Sequence, residues 1–456
     1  MQKKLSRRSF FHVAGAAALS AALSRSIVGR DLFSRPKHNF VIITLQGGVD
    51  HSQFLPVFNS ANELSTNIHF PTSEIFEAHG IRLLNVPKVL TPSSTLISNF
   101  GNRLAFLSGL QMDGQNAHNA ALAVLMRGST ENSALSFASV LGELTGHGTK
   151  YGVVSFGVQP FRNSVGLSEM GTGTTLPQKL SSLGEQLRFP DSFDGMTGEE
   201  YIDAITSFSR KYNTDSDLNH LTRNPPPGTD LHTFRTVLRD PSSAERKTFI
   251  NQLSLNADYW APYEGLAGPY GNDRHEQLAM AAKLLNEGST ASTFVINIGR
   301  TEGFYSYDTH NAYSGNNDLR QQEKLDRDLR AIEVFLTQIE QHLDSTTIVI
   351  GSEFGRPPQL NPTGGRDHWG ANNCLIALSP FIRPGVHGSV DPETYAGNSI
   401  SLSDGSTDAF RCRSIYRGIV ESIFQNGLVT CSDEMANKIY RQFLPGPRPV
   451  GVFQGV

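Results

Sequence analysis

Six short runs of this chain are apolar almost throughout, not on alternate residues, and this pattern limits the fold more than any other feature. They are Asn39-Phe40-Val41-Ile42-Ile43-Thr44-Leu45, Leu104 to Leu107, Val153 to Phe156, Thr293 to Ile298, Thr346 to Ile350 and Cys374 to Leu378. A strand with one wet face alternates apolar and polar residues; a strand covered on both faces does not. The first run stops at Gln46-Gly47-Gly48, a tight turn. Helical periodicity lies between the runs. Leu325, Leu329, Ile332, Leu336, Ile339 and Leu343 form one apolar stripe on an otherwise charged stretch that leads straight into Thr346. The expected fold class is α/β: a mostly parallel central sheet with helices on both faces.

The N-terminus has a different plan. Lys3, Lys4, Arg7 and Arg8 precede an apolar stretch from Val13 to Leu23. Ser6-Arg7-Arg8-Ser9-Phe10-Phe11 carries the paired arginines and following apolar pair of a twin-arginine signal. The apolar stretch is eleven residues long, well short of the ~20 that span a bilayer. Residues 1–30 are thus expected to be a signal peptide and the start of a linker. The twin-arginine translocase is the expected export partner, the periplasm or extracellular space the destination, and no permanent membrane span is expected.

The remainder, 37–450, reads as one large domain with a polar insertion at about 183–240, broken by Pro225-Pro226-Pro227-Gly228. A net charge of −4 with 18% charged residues offers no basic face for nucleic acid. Cys374, Cys412 and Cys431, three in all, exclude a dense disulfide framework and leave room for one bridge, such as Cys412 to Cys431.

In open α/β sheets ligands bind beyond the carboxyl ends of the strands. Four such places hold acids or histidines: Gly47-Gly48-Val49-Asp50-His51, Asp308-Thr309-His310, Gly351-Ser352-Glu353-Phe354-Gly355-Arg356 and Gly364-Gly365-Arg366-Asp367-His368-Trp369. Carboxylates that converge with imidazoles suit a divalent metal: zinc, manganese or iron, with calcium or magnesium as alternatives. A fifth place, Asn116-Ala117-His118-Asn119, opens an apolar helix. Its N-terminus suits an anion, unless Asn116 or Asn119 is simply the cap. Arg356 and Arg366 either clamp a phosphate or sulfate or pair with Glu353 and Asp367.

Together with the twin-arginine start, these motifs resemble the exported bacterial family known as domain of unknown function 1501. That family is grouped by fold with the alkaline phosphatases, sulfatases and cofactor-independent phosphoglycerate mutases. The resemblance implies that Asp50 is the first-strand metal aspartate, that Asp308 and His310 belong to one metal site, and that His368 is the late histidine ligand. It also implies that 347–355 is the strand-then-ligand segment and that 116–127 holds the place of the nucleophile. Two departures stand out: Phe354 replaces a metal-binding histidine, and Asn and His replace the Ser, Thr or Cys of a covalent mechanism.

The expected function is a metal-dependent hydrolase of phosphate or sulfate esters, on a small molecule or a polysaccharide. Asp50, Asp308, His310, Glu353 and His368 would supply the metal ligands, His118 would act as nucleophile or proton carrier, and Arg356 would steady the anion. The alternative is a non-catalytic envelope or surface protein that keeps the fold and part of the metal cage.

Overall fold

The computed structural model describes residues 36–50, 75–78, 81–84, 95–131, 135–147, 149, 151–156, 173–176, 257–264, 266, 275–288, 291–299, 307–310, 317–357, 359–391, 394–444 and 446–454. The expected signal (1–30) and the expected insertion (183–240) lie outside them. The strands are β1 Asn39–Thr44, β2 Ile75–Ala78, β3 Ile81–Leu84, β4 Leu104–Ser108, β5 Tyr151–Phe156, β6 Gly173–Leu176, β7 Ala291–Asn297, β8 Thr346–Gly351, β9 Cys374–Leu378, β10 Gly385–His387, β11 Ser399–Ser401 and β12 Thr407–Ala409. The helices are α1 Thr95–Phe100, α2 His118–Arg127, α3 Phe137–Thr145, α4 Ala257–Glu264, α5 His275–Glu287, α6 Asn317–Gln338, α7 Cys412–Gln425 and α8 Asp433–Phe443.

Eight strands form one sheet in the order β10-β4-β9-β8-β1-β7-β5-β6. Every neighbouring pair is parallel except the two that involve β9, which runs against both β4 and β8. Each of the six apolar runs is a strand of this sheet. Their continuous apolarity follows from the strand period of two. In β1, Val41 and Ile43 join a core with α1, α4, α5 and α6, while Phe40 and Ile42 join a second core with α2, α3, α7 and α8. The mostly parallel sheet is therefore covered on both faces.

The apolar stripe at 325–343 is helical but not one helix. α6 ends at Gln338, and Leu343 lies in a 3-10 turn, Glu340–Ser345, that closes directly onto β8. All three cysteines are free, so the one bridge for which the sequence left room does not form. Cys412 is buried in the core instead, where Met112 Sδ lies 3.8 Å from its sulfur. Among the described residues, no helix is long and apolar enough to cross a membrane.

At the amino end of the sheet, His38 is buried against Phe40 and Phe381, with Nε2 3.0 Å from Thr347 Oγ1. Burial depresses its pKa from 6.5 to about 3. The unfolded chain therefore binds the extra proton below pH 6.5 and the folded one does not until about pH 3, so stability is complete above 6.5 and falls as pH drops towards 3. Between pH 7 and pH 5 this single group is expected to remove about 2 kcal/mol. Urea unfolding of His38→Gln, which cannot titrate, should show a correspondingly flatter pH dependence; an unchanged slope would rule His38 out as the source.

Candidate metal centre

All the parallel strands of the sheet point their carboxyl ends at one edge, and β9 begins there because it runs the other way. β1 delivers Gly47 to Asp50, β8 delivers Ser352 to Arg356, β4 leads to α2, and the chain entering β9 carries Arg366 to His368. The segment 307–310 follows β7 in the chain. The edge is pinned by backbone: Trp369 N–H donates to Gly355 O at 3.0 Å, and Arg366 N–H to Thr309 O at 3.2 Å.

Asp308 is the hub. Its Oδ2 lies 3.2 Å from His118 Nε2, and its Oδ1 lies 3.0 Å from His310 Nε2 and 3.1 Å from His368 Nε2. Ligand atoms of His118, Asp308 and His368 all lie within 4.8 Å of one another. His310 Nε2 is 2.7 Å from His368 Nε2.

The second nitrogen of each ring decides the chemistry. His118 Nδ1 donates to Glu353 Oε1 at 2.7 Å, His310 Nδ1 donates to Asp367 Oδ1 at 3.2 Å, and His368 Nδ1 donates to the Asn116 carbonyl. Carboxylates and carbonyls only accept, so each Nδ1 carries a proton; His310 Nε2 and His368 Nε2, 2.7 Å apart, cannot both carry a second one, whereas His118 Nε2 faces Asp308 Oδ2. Two lone pairs that face each other at 2.7 Å, beside a carboxylate, call for a cation between them, either a proton or a metal ion. Histidine ligands fixed through the far nitrogen by an acceptor are also the usual outer shell of a bound metal. The donor set, nitrogen and oxygen without sulfur, fits zinc, manganese or iron.

Burial alone would depress His118, but hydrogen bonds to Asp308 and Glu353, and their charges, raise its pKa to about 9. Without a metal His118 holds protons on both nitrogens, and an ion bound at its Nε2 would take the place of one of them. Burial would raise the Asp308 carboxyl, yet His118, His368 and Arg356 hold it far below the ordinary carboxylate range. Phe354, wholly buried, lies under the cluster with its ring centroid 5.0 Å from that of His118 and 4.3 Å from that of His368. Gly48 makes room for it: at φ +80°, a Cβ there would meet Phe354 Cε2 at 2.2 Å.

The family model described as "Protein of unknown function (DUF1501)" matches residues 37–404. The chain belongs to this family. Among solved structures, the DUF1501 chain is similar to the alkaline phosphatase of the Antarctic bacterium TAB5 at 10% identity and TM-score 0.31, over 77% of this chain and 95% of that one. It is similar to the PsFucS1 sulfatase of Pseudoalteromonas sp. at 12% identity and TM-score 0.32, over 83% and 69%. It is also similar to the lipoteichoic acid synthase LtaP of Listeria monocytogenes at 9% identity and TM-score 0.33, over 93% and 96%. No curated protein matches.

Of the residues singled out from sequence, Asp308, His310 and His368 converge in this DUF1501 protein, and His118 joins them through Nε2. Glu353 is buried behind His118, its Oε1 also accepting Gly47 N–H at 2.8 Å and its Oε2 the Ser352 hydroxyl at 3.1 Å. Asp50 is buried, in an ion pair of 2.9 Å with Arg366 Nε. Arg356, only 1% exposed, is engaged within the protein itself. Its nitrogens donate to the carbonyls of Gly47, Gly48, Tyr307 and Arg366 and to Asp308 Oδ1, at 2.7–3.1 Å. Neither asparagine caps α2. The N-cap is Ala117, with no side-chain hydrogen bond, and Asn116 Oδ1 accepts from Gly370 N–H at 2.7 Å. Sequence reasoning missed Asp367 and the Asn116 carbonyl as partners of the ring nitrogens. Their adjacency to His368 and His118 was the available signal.

Proposed function

We propose that this protein is an exported, metal-dependent hydrolase of phosphate or sulfate esters. The observation that carries the reading is the convergence of three Nε2 atoms on Asp308, each imidazole oriented by an acceptor at Nδ1. His118, Asp308 and His368 are the tightest donors and would hold the ion, with His310 beside them. When bound, the ion supplies Lewis-acid polarisation of an ester oxygen and activation of water.

The chain's own residues divide the remaining work. His118, engaged on one side by Glu353 and on the other by Asp308, is a donor of the centre and not a free nucleophile. His310 is the most exposed of the three imidazoles, at 37% of its side chain against 21% and 17%. It is placed to pass a proton at Nε2 to a leaving group, with Asp367 holding its other nitrogen. The start of α2, with no capping side chain, offers its first N–H groups to an anion next to His118. With no hydroxyl or thiol among residues 116–119, water is the attacking group.

Export by the twin-arginine translocase places this activity in the periplasm or outside the cell, and rests on the Arg7-Arg8 motif. A fusion of residues 1–36 to a reporter should be exported only in cells with an intact twin-arginine translocase.

The activity is tested with zinc-, manganese- and iron-loaded protein against aryl phosphates, phosphodiesters and aryl sulfates. Turnover that disappears in His310→Ala is expected. Stoichiometric metal without turnover of any ester would favour the second reading, a non-catalytic protein with a structural metal. The engagement of Arg356 on backbone carbonyls is the observation on that side.

A further inference from the structure

The segment that carries Asp308 and His310 has no helical or strand hydrogen bonding of its own, yet its side chains alternate like those of a strand. Tyr307 and Thr309 are buried, and Asp308 and His310 face the cluster. What holds the inward pair lies on α6. Gln321, Lys324 and Asp328 are spaced i, i+3 and i+7, one face of a helix, and all three meet Tyr307 by a different part. Gln321 Nε2 donates to the Tyr307 carbonyl at 2.7 Å and to Thr309 Oγ1 at 2.9 Å. Lys324 Nζ lies 3.9 Å above the centre of the Tyr307 ring. The Tyr307 hydroxyl donates to Asp328 Oδ2 at 2.6 Å, and Asp328 Oδ1 is bonded to His275 Nε2 of α5 at 2.9 Å.

All of these side chains are buried, with Asp328, His275 and Tyr307 wholly so. Burial, reinforced by the Asp328 charge, holds the Tyr307 hydroxyl well above the ordinary phenol range, which keeps it a proton donor. A carboxylate left in a core without such partners would be strongly unfavourable. Packing alone needs none of this, since an apolar side chain at 328 would fill the same space.

We infer that the Gln321, Lys324 and Asp328 face of α6, with His275 behind it, is a positioning device for the metal centre: it clamps Tyr307 and Thr309 so that Asp308 and His310 are presented at fixed distance and angle. The inference rests on the metal-centre reading above and assigns α6 a role in it. These residues touch no reacting atom and act only through the 307–310 backbone.

Zinc affinity by chelator competition, the visible spectrum of the cobalt(II) form, and the melting temperature of the metal-free form are compared for the wild-type chain, Tyr307→Phe, Gln321→Met and Asp328→Asn. Each variant is expected to bind zinc about 10- to 100-fold more weakly and to shift the cobalt bands. Tyr307→Phe removes one oxygen and keeps the ring against Lys324, so it reads the Asp328 contact even if Asp328→Asn fails to fold. Variants that melt lower but keep wild-type affinity and an unshifted cobalt spectrum would show a merely structural network and overturn the inference, leaving the metal reading intact. A wild-type chain that takes up neither zinc nor cobalt would end both.

Discussion

Asp308→Ala is expected to abolish useful metal binding while leaving the fold in place. Asp308 contributes the one anionic oxygen pair of the cluster, within 3.0–3.2 Å of three imidazole nitrogens. Without it, the three imidazoles remain with no anionic ligand between them. The loss should be on the order of a thousand-fold in affinity, about 4 kcal/mol. The fold should survive because Arg356, the other partner of Asp308, keeps its four backbone carbonyls. Equilibrium dialysis with zinc and a far-ultraviolet circular dichroism spectrum give the two readings. Wild-type affinity in this variant would remove Asp308 from the centre.

The second large effect is on stability and belongs to Asp50 and Arg366. Both are buried, at 2% and 0% exposure, and they form an ion pair of 2.9 Å. Arg366 also ties the layer together: Nη1 donates to Pro357 O at 3.1 Å, and its own carbonyl accepts from Arg356 at 2.7 Å. Arg366→Met removes the cation and leaves a buried carboxylate without its charge partner, at an expected cost of about 3–5 kcal/mol. Asp50→Asn/Arg366→Met, which has no net buried charge at the site, should recover a substantial part of that loss. Chemical denaturation of the two variants provides the comparison. A double variant no more stable than Arg366→Met would deny the coupling. Retention of zinc by the double variant would show that Asp50 is a structural support, whereas loss of zinc with the fold intact would make it a ligand.

The sheet was legible because its strands are buried on both faces, which removes alternation from runs such as Val41-Ile42-Ile43 and makes them stand out. β10, β11 and β12 were not, since three residues in partly exposed positions carry no comparable pattern. Which strand runs against the others was equally hidden: Cys374 to Leu378 is as apolar as its parallel neighbours, and direction depends on the chain's route and not on composition. In the site, Asp308, His310 and His368 were legible from their place after or before strands. The roles of Asp50, Glu353 and Arg356 were not. A strand-end acid reads the same whether it faces a metal, an arginine or a histidine, and only the fold brings Arg366 to Asp50 and His118 to Glu353. The clamp on Tyr307 was hidden for a related reason. Gln321, Lys324 and Asp328 sit on a charged helix where a solvated face is the ordinary reading, and the apolar stripe of Leu325 and Leu329 runs through the same turns.

The most direct test of the account is X-ray absorption on the zinc-loaded chain. The account predicts one ion per chain, a first shell of nitrogen and oxygen alone at about 2.0–2.1 Å, and outer-shell scattering from at least two imidazoles. Sulfur in the shell, a shell without imidazole, or no stoichiometric zinc would contradict it.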